Sequence, residues 1–369
     1  MTDLITADNF SNLLRNNTPL LDLRSPAEFK RGSLPGATNL PLLTDPQRQK
    51  VGTAYRKNGR EAAIELGFEL VDERAREDLL EQWEAFLKQH QGCAIYCWRG
   101  GLRSTLVQQW LEERGTSTPR IKGGFKALRR HLLDTLASLA DGDNLIVVAG
   151  KTGSGKTHFI NQLQNSLDLE GLAHHRGSAF GKQVEPQPAQ IDFENALAVR
   201  CLHLDWSDNR RVAIEDESRA IGSLSVPLDL HQRMLQAPIA MLEESLDSRI
   251  ETIHLDYIQS NYQAFKQADP ESAEARFAES LTDALFRIRK RLGLERYAII
   301  QQMLLEALSE QAKGSGIDGH KIWIEELLKN YYDPMYDYQL EKKSSRIVFR
   351  GNRSELAQWI MPLTEGKTP

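Results

Sequence analysis

An apolar run, Leu145-Ile146-Val147-Val148-Ala149, passes without a break into Gly150-Lys151-Thr152-Gly153-Ser154-Gly155-Lys156-Thr157. No other stretch limits the possible folds so tightly. The pattern G-x-x-x-x-G-K-[ST] is common by chance, but here a buried strand precedes it and a helical stretch, 157–166, follows, which is the frame a phosphate-cradling loop requires. Amides of such a loop converge on an anion, Lys156 neutralises charge, and the Thr157 hydroxyl is free to meet Mg2+. Gly150, Gly153, Ser154, Gly155, Lys156 and Thr157 are therefore expected to bind a phosphorylated ligand, either a diphosphate or a nucleotide. A second strand, 211–214, runs into Glu215-Asp216-Glu217, where a Walker-B-like carboxylate would sit. Asp216 is the first choice for the metal and Glu215 the second; the same acids could equally be the solvated end of a strand.

The first part of the chain alternates short apolar stretches with helical patterns, and this alternation implies a parallel sheet covered by helices. Strands are expected at 20–23 and 94–97, with helices at 25–30 and 102–113. Between the second strand and its helix lies Cys97-Trp98-Arg99-Gly100-Gly101-Leu102-Arg103-Ser104. Amides converge inward at such a junction and the helix N-terminus adds partial positive charge, so Cys97 is expected to react as a thiolate. Arg99 and Arg103 can hold an oxyanion beside it. The alternative reading, a buried strand-end cysteine, suits Cys93 and Cys201 better.

Length and charge set the outer bounds. The chain's 369 residues suffice for two domains. Apolar periodicity stops at Ala140-Asp141-Gly142-Asp143-Asn144, which places the division there: 1–140, then 141–369, with a mostly helical region at about 271–332. Later strands are expected at 239–242 and 346–349, and a closing helix at 354–360. Three cysteines in all exclude a disulfide framework. No run approaches a membrane span and the N-terminus lacks a secretory layout, so a cytoplasmic location is expected. A net charge of −5 gives no global attraction to nucleic acid; any RNA contact must be a local basic patch. Two stretches qualify, Arg287-Ile288-Arg289-Lys290-Arg291 and the series Lys342, Lys343, Arg346, Arg350, Arg353. Tyr331, Tyr332, Tyr336 and Tyr338 could stack a base or simply pack.

Leu21-Asp22-Leu23-Arg24-Ser25-Pro26-Ala27-Glu28-Phe29, Gly32-Ser33-Leu34-Pro35-Gly36-Ala37 and Lys122-Gly123-Gly124-Phe125 resemble rhodanese domains over most of residues 1–138. Five residues separate Cys97 from Arg103, one more than in typical sulfurtransferase loops. The longer loop is similar to that of rhodanese-fold phosphatases, although Tyr96 stands where they usually carry histidine. A wider cradle suits a phosphate-like chalcogen donor.

A rhodanese-like half followed by a P-loop half resembles the tRNA 2-selenouridine synthases. Gly171-Leu172-Ala173-His174-His175-Arg176-Gly177-Ser178, Ile214-Glu215-Asp216-Glu217-Ser218, Pro238-Ile239-Ala240-Met241 and Asn330-Tyr331-Tyr332-Asp333-Pro334 carry that resemblance further. It implies an α/β fold: an N-terminal rhodanese-like domain and a C-terminal P-loop NTPase-like domain with a mostly helical insertion or appendage. It also implies a two-step exchange at a tRNA wobble 2-thiouridine, in which geranyl diphosphate alkylates the sulfur and selenophosphate then supplies selenium. On this reading Cys97, Arg103 and Arg99 are catalytic. The loop and Arg176 hold the diphosphate, Thr157 and Asp216 hold Mg2+, and a selenophosphate-producing enzyme is a partner. The leading rival is an NTP-dependent tRNA sulfurtransferase. A regulatory protein with a degenerate thiol module fits less well, because Cys97 and Arg103 are intact, and a phosphatase is suggested by loop length alone.

Overall fold

The protein's structure is a computed structural model that describes residues 3–140 and 143–365. Asp141 and Gly142, within the turn-rich stretch where the sequence divides, lie outside the described residues, as do Met1 and Thr2. Two compact units emerge: Met1–Ser138 with Ala189–His203, and Leu139–Pro188 with Leu204–Pro369.

The first unit is built on a five-stranded sheet in the order Leu4–Ile5, Arg120–Ile121, Ala94–Tyr96, Leu20–Asp22, Ala37–Asn39. Every neighbouring pair is parallel. Parallel strands are buried on both faces, which explains why Ala94, Ile95 and Tyr96 are all fully buried and read as a continuous apolar run. Ser25 starts helix Pro26–Lys30 where the sequence places its beginning, and it does so with a capping box to Glu28. Helix Leu102–Glu113 follows the thiol loop over the span expected. A helical stretch, Asp45–Leu70, breaks at Gly59, where φ is 88°.

Helix Gln190–Leu202, which a division of the sequence near residue 140 would leave in the second half, belongs to this first unit. Its Asp192 accepts the Ser33 N–H at 2.5 Å, Asn195 donates to the Ser33 carbonyl at 2.6 Å, and Arg129 donates to Asn195 at 2.8 Å and pairs with Glu194. Nothing in linear composition marks such a return of the chain.

The second unit carries its own parallel sheet in the order Ile347–Gly351, Ile239–Leu242, Leu145–Ala149, Val212–Glu215, Ser166–Leu167. Leu145–Ala149 is central, so the loop at 150–155 leaves the middle of the sheet at its C-terminal edge, where open α/β sheets bind ligands. The helix after the loop spans only Lys156–Ile160, shorter than the 157–166 expected. Ser166 donates from its hydroxyl to the carbonyls of Ile160 and Leu163, both at 2.8 Å, and so satisfies the exposed helix end while the chain turns into strand Ser166–Leu167.

Helices Ala273–Leu292, Leu294–Ala312 and His320–Leu327 fill the region expected to be helical, around a core of Phe277, Leu281, Leu285, Ile300, Leu304 and Trp323. Two π-helical stretches, His254–Gln259 and Leu328–Tyr332, adjoin that core. Such widened turns are rare and concentrate at functional sites; here they carry Tyr257 and Tyr332.

Candidate functional site

Each unit holds a cleft at the C-terminal edge of its sheet. In the first, Cys97 ends strand Ala94–Tyr96 and is 3% exposed. Its Sγ lies 3.3 Å from the Ser104 hydroxyl, on the first turn of helix Leu102–Glu113. The loop is clamped from behind. Phe125 N–H donates to the Cys97 carbonyl at 2.9 Å, Lys126 N–H to Trp98 at 3.0 Å, and the Arg120 guanidinium to Gly100 at 2.6 Å. Gly100 has φ 59°, and a Cβ there would meet the Ile121 carbonyl at 2.5 Å, so this turn closes only on glycine. Burial pushes the Cys93 and Cys201 thiols up to about 12, and of the three cysteines it is Cys97 that lines this cleft.

Arg103 does not float in the pocket. Its guanidinium donates to Glu28 at 2.6 and 3.3 Å, and Arg48 reaches the same carboxylate at 3.2 Å. Burial alone would raise the Glu28 carboxyl, but the Arg103 hydrogen bond and charge, the Ser25 N–H and Arg48 outweigh it and hold the group below its ordinary value. Glu28 therefore stays ionised and aims two arginines. Arg99 is exposed. Arg48, Tyr55, Arg56, Trp98, Arg99 and Arg103 line a cavity of about 660 Å3 together with Cys97. Arg48, Tyr55 and Arg56 come from the stretch before the Gly59 break, and no motif in the sequence singled them out.

In the second unit the phosphate loop adopts the turns its glycines permit. At Gly153, φ is 82° and a Cβ would lie 2.8 Å from the Arg249 carbonyl. The Lys156 ammonium rests on the Gly150 carbonyl at 2.9 Å, and the Gly150 N–H donates to the Tyr336 hydroxyl at 2.7 Å. Arg353 reaches the carbonyls of Ser154 and Gly155 at 3.4 Å. Arg249 donates to Thr152 at 3.3 Å and is fixed by both oxygens of Asp333 at 2.7 Å.

The carboxylates around Thr157 are Glu170 and Glu215. Thr157 donates to Glu170 at 3.1 Å, and the Glu170 N–H donates to Glu215 at 3.0 Å. Asp216, the acid favoured from sequence, lines the same cleft but has both oxygens on the Lys343 ammonium at 2.7 Å. Glu215 is fully buried and its other oxygen, Oε1, has no hydrogen-bond partner. Burial, with the charges of Glu170 and Asp168, pushes its carboxyl up to about 8. A buried carboxylate with an orphaned oxygen beside a threonine hydroxyl is a donor set that fits a divalent cation. Glu170 escaped the sequence reading because it lies on a four-residue helix, Leu169–Leu172, that belongs to neither loop motif.

The cleft, about 550 Å3, is lined by Lys156, Thr157, Arg176, Arg291, Tyr257 and Tyr336 among others. Arg176 is held by Asn261 at 3.0 Å and lies over the Tyr257 ring, 5.3 Å from its centroid. Arg291 brings one end of the first basic stretch into the cleft. The second stretch is spent largely within the unit, since Lys343 holds Asp216, Arg346 caps the carbonyls of Met234 and Ala237, and Arg353 braces the loop. Of the tyrosines, Tyr332 and Tyr336 line the cleft, whereas Tyr338 is exposed with Lys342 over its ring at 4.1 Å.

A family profile described as the tRNA 2-selenouridine synthase AAA domain matches residues 143–366, and a rhodanese-like domain profile matches 6–131. This chain belongs to the tRNA 2-selenouridine synthase family. It is 44% identical to the tRNA 2-selenouridine synthase of Marinobacter nauticus, covering 97% of this chain and 98% of that one. The enzymes of the same description from Pseudomonas putida and Azotobacter vinelandii are 46% and 47% identical, with 95% and 98% of this chain covered and 97% and 98% of theirs. The fold class expected from sequence, a rhodanese-like domain followed by a P-loop domain, holds. No described helix is long and apolar enough to cross a membrane.

Proposed function

We propose that this chain makes 2-selenouridine in tRNA in two steps, in the cytoplasm, with the P-loop cleft serving the first and the Cys97 cavity the second. In the first, the sulfur of a wobble 2-thiouridine attacks C1 of geranyl diphosphate. A C–S bond forms, the C1–O bond breaks, diphosphate leaves, and the base loses its N3 proton. In the second, selenium from selenophosphate adds at C2 and the geranyl thiolate departs. Water takes the phosphoryl group as phosphate. Alkylation comes first because a thiocarbonyl sulfur is a poor leaving group until it carries carbon.

The observation that carries the diphosphate reading is what lies behind the phosphate loop. A narrow apolar cavity, with about 30 Å3 of free space, adjoins the cleft and shares Thr152, Ser178, Ile253, Tyr257 and Tyr332 with it. Its remaining walls are Phe180, Trp323, Ile324, Leu327 and Leu328. A phosphate cradle opening onto hydrocarbon walls suits a prenyl diphosphate, whose tail enters as those walls part. A nucleotide's ribose and base would find few hydrogen-bonding groups there.

Lys156, Arg176 and the loop amides would bind the leaving diphosphate and stabilise the charge it gains. Thr157 and Glu215 would hold a divalent cation, whose contribution is further charge neutralisation on the diphosphate. At the other cleft Cys97 would position the selenium donor for attack at C2, with Arg103 on the donor's phosphoryl oxygens. A selenophosphate-producing enzyme is the partner this step needs.

Calorimetric titration of the whole protein with geranyl diphosphate, diphosphate and ATP tests the assignment. Geranyl diphosphate should bind more tightly than diphosphate alone, and Trp323→Ala should erase the difference. Tight ATP binding with turnover, and no preference for the prenyl chain, would instead favour the nucleotide-dependent sulfurtransferase.

A further inference from the structure

The Cys97 cavity is larger and differently walled than a small chalcogen donor requires. Its volume, about 660 Å3, falls within the range of about 300–1,000 Å3 that takes organic ligands. Next to the thiol stands Trp98, 39% exposed, and across the same lining stands Tyr55, 60% exposed.

Trp98 is a fixed shelf rather than a loose surface ring. It stacks on Phe125 with centroids 5.5 Å apart and planes inclined by 27°. Phe125 is buried and backed by the Arg24 guanidinium 3.8 Å from its centroid, and Arg24 is itself tied to Asp22 at 2.6 Å. An indole anchored through three layers yet left open to solvent offers its area to something that arrives later.

The charges around it point to the same visitor. Four arginines line the cavity, at positions 48, 56, 99 and 103, and among the described residues no acidic side chain does. Glu28 absorbs Arg48 and Arg103, so Arg56 and Arg99 face the cavity without a carboxylate. An aromatic shelf beside unpaired guanidinium groups is how proteins hold an unstacked base and its flanking phosphates.

We infer that this cavity binds the substrate nucleoside of a single-stranded RNA loop. Its pyrimidine ring stacks on Trp98, and Arg56 and Arg99 take the adjoining phosphates. This rests on the tRNA reading above, and it makes the thiol unit a base-recognition site as well as the site of the chalcogen donor. Trp98 then sets which base reaches Cys97.

The test uses the full-length protein and an anticodon stem-loop carrying 2-thiouridine at the wobble position. Trp98→Ala should weaken stem-loop binding by about 5- to 150-fold, the equivalent of about 1–3 kcal/mol per stacked base. Trp98→Phe should restore most of it, and Tyr55→Ala, at an exposed position that puts folding at little risk, should weaken binding less. Arg56→Ala and Arg99→Ala should each lower the salt dependence, with a slope change of about 0.7 for each phosphate left without its cation. Binding of selenophosphate without RNA should survive Trp98→Ala. The inference is overturned if all these variants bind the stem-loop like the parent and only selenophosphate binding falls, because the cavity then serves the small donor alone. It is likewise overturned if a protein that supplies selenium, and not RNA, loses affinity. Should the unaltered protein show no affinity for the thiolated stem-loop, the tRNA reading itself fails with it.

Discussion

The hydroxyl of Tyr336 accepts the N–H of Gly150, the first residue of the phosphate loop, at 2.7 Å. Burial, with the nearby charge of Asp216, pushes the Tyr336 phenol up from its ordinary value, so the hydroxyl stays protonated and neutral. Asp333, Tyr336, Asp337 and Lys343 all lie on helix Asp333–Lys343 and hold Arg249, Gly150, Lys151 and Asp216 respectively. One helix thus braces the loop at several points. Tyr336→Phe removes the acceptor and leaves a buried N–H unpaired, a loss of about 1–3 kcal/mol. Diphosphate affinity is expected to fall about tenfold, with a lower melting temperature that added diphosphate does not fully restore. Calorimetry and thermal melts check both.

Glu215 makes stability depend on pH. Its carboxyl is raised from an ordinary 4.5 to about 8, so between those values the folded protein holds a proton that the unfolded chain does not. Stability from this group is complete below about 4.5 and is lost as pH rises through about 8. The unaltered protein should therefore melt progressively lower from pH 5 to pH 8, and Glu215→Gln should flatten that decline. Mg2+ added at pH 8 should raise the melting temperature of the parent and leave the Gln variant nearly unmoved. An equal response in both would remove Glu215 from the cation site.

The thiols should separate cleanly in reactivity. Cys93 and Cys201 are pushed up to about 12 by burial, and Cys97 alone lines a cleft. Brief alkylation at pH 7.5 should give one adduct, mapped to Cys97 by peptide mass spectrometry, and none in Cys97→Ser. Early labelling of Cys93 would contradict the assignment of the working thiol.

Both loops and the strands that present them were legible in the sequence, because each motif sits on a local pattern: an apolar strand, a glycine turn, a helix start. The helix that begins at Ser25 was legible in the same way. What surrounds the loops was not legible, since it comes from outside the motifs. Glu170 meets Thr157 from a one-turn helix, and Tyr336 meets Gly150 across 186 positions. Nothing near Asp216 in the sequence points to Lys343, which pairs with it from a helix more than a hundred residues on. Helix Gln190–Leu202 escaped for a related reason: its hydrogen bonds run to Ser33 and Arg129, and periodicity says nothing of partners.

Glu28 tests how the thiol cleft is aimed. Glu28→Gln weakens the hold on Arg103 and Arg48, and with Arg103 on the donor as proposed, selenium transfer should drop about tenfold or more while stem-loop binding changes little. Gln still accepts the Ser25 N–H, so the capping box survives and a thermal melt should change little. Unchanged transfer would mean that Arg103 needs no orientation from Glu28.

The most direct test of the two-step account is nucleoside mass spectrometry of a 2-thiouridine tRNA incubated with the protein, geranyl diphosphate and selenophosphate, each omitted in turn. Lys156→Ala and Cys97→Ser are run beside the parent. The account predicts S-geranyl-2-thiouridine from the parent when selenophosphate is withheld, and 2-selenouridine once it is added. Lys156→Ala should stop at unmodified 2-thiouridine, and Cys97→Ser should accumulate the geranylated nucleoside. Selenouridine formed without any prenyl donor, or only with ATP, would contradict it.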